Sequence, residues 1–269
     1  MGQTTKIDWC DASWNPVTGC NHDCPYCYAR GIAKRFGGHL LVEGTNEIHE
    51  LDEPVRESEP MCDDLVRVGR ILPYPHDFEP TLHRYKLEEP RHWKKPKTIF
   101  VCSMADLFGD WVPDEWIKAV FDACKEAPWH RYLFLTKNPK RYIELAKRDM
   151  LPPEHWYGYS ATDKDMLWHF KHAEECPCIN LFVSIEPILA PMNPGFCSHV
   201  PADWVIIGAE TGIRKEKVIP EKKWIDDIAM ECEYSGRPIF MKESLKPIMG
   251  ADFKQEFPWE VRGNDGKSK

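Results

Sequence analysis

Cys20-Asn-His-Asp-Cys24-Pro-Tyr-Cys27 sets three cysteines in one short stretch, separated by three and then two residues. Soft thiolates on one loop can hold three irons of a cubane cluster and leave the fourth iron to a ligand that is not protein. Zinc matches less well, because no second cysteine pair follows at zinc-finger spacing. An odd triplet cannot pair off into disulfides. Eleven cysteines in a chain with no secretory apolar region point to a reducing compartment. The stretch therefore reads as an iron-sulfur site, against the plainer alternative of unrelated thiols.

The surroundings predict a strand, a loop and a helix. Ile7, Trp9, Trp14 and Val17 stand among polar neighbours before the cysteines, as in a short first strand and a tight turn. After Cys27, Ala, Ile and Phe recur on one helical face until Gly37-Gly38 stops the run. Residues 38–97 carry seven prolines and little sustained periodicity, apart from a short helical pattern at Asp63 to Val68, and read as an insertion or lid. Beyond Lys97, short apolar runs recur at Thr98–Cys102, Tyr132–Leu135, Trp156–Tyr159, Asn180–Ile185, Trp204–Ile207 and Pro238–Met241. Helical stretches are expected between them at Pro113–Ala127, Pro139–Lys147, Lys164–Glu175 and Glu221–Tyr234, with proline near the first helical position of two of them. Strands apolar throughout are covered on both faces, which implies a parallel sheet. The expected fold is α/β, a partial or complete parallel (β/α) barrel with a long insertion after the first helix, forming one domain over residues 1–269.

In such a barrel the reactive groups gather at the C-terminal strand ends. Asp106 follows the Thr98 strand, Thr136 and Lys137 the next, and Ser160, Thr162 and Asp163 the one after. Ser184 and Glu186, then Glu210, then Lys242 and Glu243 end the remaining strands. Singly each of these suits a cap, a turn or a salt bridge; their recurrence on the cysteine side suits a site. Pro187 keeps Glu186 out of helical geometry.

The cysteine spacing, with Tyr26 before the third cysteine, resembles the signature of the radical SAM superfamily. Five further stretches, Thr5 to Cys20, Phe100-Val-Cys-Ser-Met-Ala-Asp-Leu-Phe, Leu135-Thr-Lys-Asn-Pro, Ser184-Ile-Glu-Pro and Gly208-Ala-Glu-Thr-Gly, resemble a phage-associated radical SAM-like family of unknown function. Cys10 departs from that family's pattern. The resemblance implies a 4Fe-4S cluster on Cys20, Cys24 and Cys27 that reductively cleaves S-adenosylmethionine (SAM) to a hydrogen-abstracting deoxyadenosyl radical. It implies Tyr26, Asp106, Ser160, Thr162 and Ser184 at the cofactor, with Asp106 for the SAM ammonium and Ser160 or Thr162 for its ribose or carboxylate. Glu186, Glu210 and Lys137 are then the candidate catalytic residues. An electron donor such as flavodoxin or ferredoxin is the implied partner.

The substrate is less defined. A net charge of -8 argues against a general nucleic-acid coat but leaves room for a local basic groove. Arg91-His-Trp-Lys-Lys-Pro-Lys97 mixes cations with an aromatic, suiting a nucleotide or single strand, or equally a solvated connector. Nucleic-acid base modification or repair is the first expectation. Modification of a peptide or small metabolite, and a non-catalytic iron-sulfur or zinc module, are the alternatives. Cys176, Cys178, Cys197 and His199 offer the ligand types of a second metal site, although burial of Cys178 is the simpler account. No apolar run is long enough to span a membrane, so a cytoplasmic protein is expected.

Overall fold

The structure, a computed structural model, describes residues 5–37, 47–60, 66–164, 166, 180–211 and 214–260. Seven strands run parallel in one sheet, the partial (β/α) barrel that the alternating pattern predicts. The chain divides into two compact units, one of residues 1–4 and 12–131, the other of residues 5–11 and 132–269.

In the first unit β1 (Ala12–Trp14), β2 (Val17–Thr18) and α1 (Tyr28–Phe36) are followed by β3 (His49–Leu51), β4 (Arg56–Pro60), β5 (Val66–Ile71) and β6 (Thr81–His83). Then come α2 (Glu89–His92), β7 (Thr98–Val101) and α3 (Asp114–Lys125). β1 lies parallel to β7 with Ala12 opposite Ile99 and Trp14 opposite Val101. Every residue of β7 is buried, as its unbroken apolar run requires. α3 buries Trp116, Ile117, Val120, Phe121 and Cys124, the one face that helical periodicity allows.

The stretch expected to be an insertion holds structure that its sequence conceals. β6 pairs antiparallel with β2 and parallel with β3, while β4 and β5 form a hairpin. The helical pattern at Asp63 to Val68 gives way to the β5 strand from Val66, because pairing with β4 overrides a weak local preference; residues 61–65 lie outside the described residues.

The second unit contains β8 (Arg131–Thr136), α4 (Lys140–Ala146), β9 (Trp156–Ala161), β10 (Leu181–Ile185) and α5 (Phe196–His199). It continues through β11 (Trp204–Ile207), α6 (Lys222–Tyr234), β12 (Ile239–Met241) and α7 (Lys246–Met249). β8 to β12 pair in chain order, all parallel. Their outer core joins Val183, Ile185, Val205 and Ile207 to Ile225 and Ile228 of α6. Trp204, at the start of β11, is edge-on to Trp156, Trp259 and Phe240. Trp9 of the N-terminal segment joins the same aromatic group, 6.3 Å from Trp204 and 6.0 Å from Phe182. Asp8 of that segment accepts the backbone N–H of Glu243 at 2.7 Å. Most of the helix expected at Lys164–Glu175 lies outside the described residues. No helix among the described residues is long and apolar enough to cross a membrane.

Candidate active site

The cysteine loop leaves β2 through Gly19, whose φ of +88° is left-handed and whose missing Cβ would stand 2.1 Å from the carbonyl oxygen of Glu79. Only glycine fits there. Backbone bonds then fix the loop from two sides: Gly19 N–H donates to Met104 O at 2.9 Å and Cys20 N–H to Phe78 O at 3.1 Å. Asp23 takes a second left-handed turn at φ 51°. Cys27 caps α1, its sulfur accepting the N–H of Arg30 at 3.4 Å. All three thiols are free and half-buried. Burial pushes the Cys20 thiol up to about 12, and the charges of Asp106, Cys24 and Cys27 push the same way.

The loop is braced by residues far along the chain. His22, inside the motif, meets Asp106 Oδ2 at 2.8 Å and lies edge-on to Trp111 at 4.9 Å. Asp106 Oδ1 accepts the Phe108 N–H at 3.0 Å, and the residue is only 4% exposed. Asn15 Oδ1, just past β1, accepts from Met104 N–H at 3.0 Å and Ser103 Oγ at 3.1 Å. Arg30 reaches Cys20 O at 3.4 Å and Asp23 at 3.3 Å and lies over the Phe78 ring. Ala29, Ala33, Phe78 and Met104 form an apolar wall against Cys20 and Cys27.

The donor set fits a cluster. It is all sulfur, and two buried donors beside it, Arg30 Nε and Trp111 Nε1, have no acceptor among the described residues. Buried donors are rarely left unmet, so these two suit a ligand that brings acceptors. Among the described residues no three His, Cys, Asp or Glu side chains gather closely enough for a single ion. A cluster asks for a wider arrangement, since each thiolate takes its own iron.

In the second unit the polar residues stand at the C-terminal strand ends, as expected of the fold. Ser160 and Ser184 are buried cross-strand partners on β9 and β10. Thr162 is buried, with its hydroxyl 3.3 Å from Asp163 and 3.2 Å from the Met166 sulfur. Glu186, which precedes a cis Pro187, forms an ion pair with Lys242. Gly208 lies beneath that pair, where a Cβ would meet Lys242 at 3.0 Å and Glu186 at 3.3 Å. Glu210 is buried and gripped by Arg214 through two bonds of 2.6 Å, with the Val218 N–H adding a third at 3.3 Å. Arg214 thereby holds the Glu210 carboxyl below its ordinary range. Lys137 follows β8, half-buried, and Tyr26 is half-buried in the cysteine loop.

Of the second metal set, Cys176 and Cys178 lie outside the described residues. Cys197 is buried against α6, where its thiol and that of Cys232 hydrogen-bond, an arrangement that holds Cys232 above the thiol range. The residues the sequence reading missed are His22, Asn15, Arg30, Phe78 and Trp111. His22 alone carried a signal, being inside the motif.

No curated protein matches the sequence. Among solved structures, spore photoproduct lyase complexed with dinucleoside spore photoproduct superposes with a TM-score of 0.52 at 10% identity, covering 90% of this chain and 79% of that one. A cysteine-to-serine mutant of that lyase gives 0.51 at 11% identity, with the same coverage. A double mutant of it with bound AdoMet and dinucleoside spore photoproduct gives 0.52 at 10%, covering 89% and 78%. These likenesses establish the fold. A family model described as protein of unknown function (DUF5131) matches residues 4–249, and the chain belongs to that family.

Proposed function

We propose that the protein is a radical SAM enzyme acting on a nucleic-acid base, in modification or repair. The observation that carries the proposal is the cysteine loop itself: three free, half-buried thiols within eight residues, on a turn that only Gly19 can make, braced by Asn15, Phe78, Met104 and Asp106. Cys20, Cys24 and Cys27 would hold a 4Fe-4S cluster, and the chemistry such a cluster supplies when bound is one-electron cleavage of SAM to a hydrogen-abstracting radical.

The chain's own part is to position and to shield. His22 and Asp106 fix the loop that carries the thiols, and the apolar wall of Ala29, Ala33, Phe78 and Met104 keeps water from it. Asp106, already bonded through both oxygens, serves first as a brace, with the SAM ammonium as a further partner. Ser160, Thr162 and Ser184 supply hydroxyls for ribose or carboxylate. Glu186 with Lys242, Glu210 with Arg214, and Lys137 supply charge toward substrate. The base-repair reading is supported by the shared fold, since one of the similar structures holds AdoMet together with a dinucleoside spore photoproduct.

Anaerobic reconstitution tests the proposal. About four iron per chain, and cleavage of SAM to 5′-deoxyadenosine and methionine under reduction, are expected. Both should vanish when Cys20, Cys24 and Cys27 become Ala. Full iron in that triple variant would sink the assignment. SAM cleavage stimulated by a damaged oligonucleotide, and not by peptides, is the outcome expected of a base-repair enzyme.

A further inference from the structure

Trp129 is a large aromatic 41% exposed to solvent. Its indole N–H donates to the carbonyl of Trp93 at 2.9 Å, tying the turn before β8 to the segment that precedes β7. His130, buried between them, locks the arrangement. Its Nδ1 accepts the Lys97 N–H at 3.1 Å, so the ring proton is on Nε2, which donates to Pro90 O at 3.0 Å. Burial favours that neutral ring. The Lys97 ammonium lies 5.9 Å from the Trp93 ring centroid. Residues 91–97 are thus a built surface and not a loose connector.

Arg91, Lys94 and Lys95 are exposed on this surface and make no ion pair among the described residues. The segment from Arg91 to Lys97 has four cations and no acid, in a chain whose net charge is -8. The nearest acids in sequence are Glu88 and Glu89, and Glu88 lies 4.0 Å from His92. Fixed aromatic rings beside unpaired cations are what a flexible polyanion with stackable faces requires. An acidic peptide would use the charges but not the rings.

Its position in the fold matters as much as its composition. Lys97 stands at the N-terminal end of β7, whereas Met104 and Asp106, which brace the cysteine loop, follow its C-terminal end. Four strand residues at about 3.3 Å each put roughly 13 Å of buried strand between the two. The four cations therefore do not belong to a lid over the cysteine loop, and a nucleic acid held there is held away from the thiols. We infer that Trp93 and Trp129, with Arg91, Lys94, Lys95 and Lys97, form a separate platform for single-stranded nucleic acid. It would anchor strand flanking the base that reacts. The partner class, and only that, rests on the function proposed above.

The test is fluorescence anisotropy of the full chain with a labelled oligothymidine of roughly a dozen nucleotides, within the range of known single-strand sites. Trp129→Ala should weaken binding about fivefold to a hundredfold, the worth of one stacked base, while Trp129→Phe keeps most of it. Changing Arg91, Lys94 and Lys95 to Ser should flatten the dependence of log affinity on log salt by about two units, three contacts at ~0.7 each. The Cys20, Cys24 and Cys27 triple variant should bind as tightly as the parent. Failure of the parent to bind, or unchanged affinity and slope in the surface variants, would overturn the platform. Iron content and SAM cleavage in the same variants should be unaltered, so failure of the platform and failure of the enzyme assignment are read separately.

Discussion

His83 makes stability in the acid range a property of the strand that feeds the cysteine loop. It is fully buried on β6, with Nε2 2.9 Å from Thr18 Oγ1 and Nδ1 3.2 Å from the Tyr85 hydroxyl. Thr18 is two residues before Cys20. Burial pushes the imidazole down to about 3, and the charges of Lys86 and His76 add to it. In the unfolded chain a histidine titrates near 6.5. Because the folded value is the lower one, the unfolded state takes up the proton first as pH falls from about 6.5 to about 3. Stability is therefore lost across that window, at up to about 1.4 kcal/mol per pH unit. Between pH 7 and pH 5 the loss from this residue alone comes to about 2 kcal/mol. Urea unfolding of the parent and of His83→Gln at pH 5, 6 and 7 checks it: the variant should be weaker at pH 7 but lose about 2 kcal/mol less on going to pH 5. His76 and His130, also pushed down by burial, contribute to both proteins alike, so the difference isolates His83. Parallel pH profiles for the two proteins would refute the reasoning.

Two further substitutions probe the loop directly. Gly19→Ala forces a side chain into a left-handed turn and to 2.1 Å from the Glu79 carbonyl. A loss of about 2 kcal/mol or more and a lower iron stoichiometry are expected, and an unchanged thermal midpoint would contradict the tight turn. Asp106→Ala leaves both His22 and the buried Phe108 N–H without their acceptor, costing about 2–4 kcal/mol, whereas Asp106→Asn keeps an acceptor for one of them and should cost less. Iron retained under chelator challenge should follow the same order, and equal behaviour of the two variants would count against the brace. Calorimetric titration of Asp106→Asn with SAM should show affinity lower by about tenfold to a hundredfold if the carboxylate also meets the ammonium.

The barrel strands were legible because a parallel strand covered on both faces must be apolar throughout, and β7, β10 and β11 are buried end to end. Helix starts were legible from proline, with Pro113 and Pro139 at the N-caps of α3 and α4. β4 and β5 were not, since Arg56–Pro60 and Val66–Ile71 carry charges and glycine and owe their form to pairing with each other. The cysteines of the site announce themselves through spacing. Their support does not, because His22 and Asp106 are 84 residues apart and nothing local marks either as the other's partner. The same holds for Trp129, whose link to Trp93 spans 36 residues and turned a basic stretch into a surface.

The placement of Thr5–Asp11 in the second unit has a consequence for how the chain is made. Asp8 and Trp9 leave the ribosome well before their partners Glu243 and Trp204, which come 235 and 195 residues later. At about 5–20 residues per second that is a wait of roughly 10–47 s before these two contacts can form. β1 and β7, by contrast, can pair as soon as residue 101 is out. Assembly is thus vectorial for the cysteine-bearing unit and delayed for the other, whose aromatic group closes only when Trp9 meets Trp204.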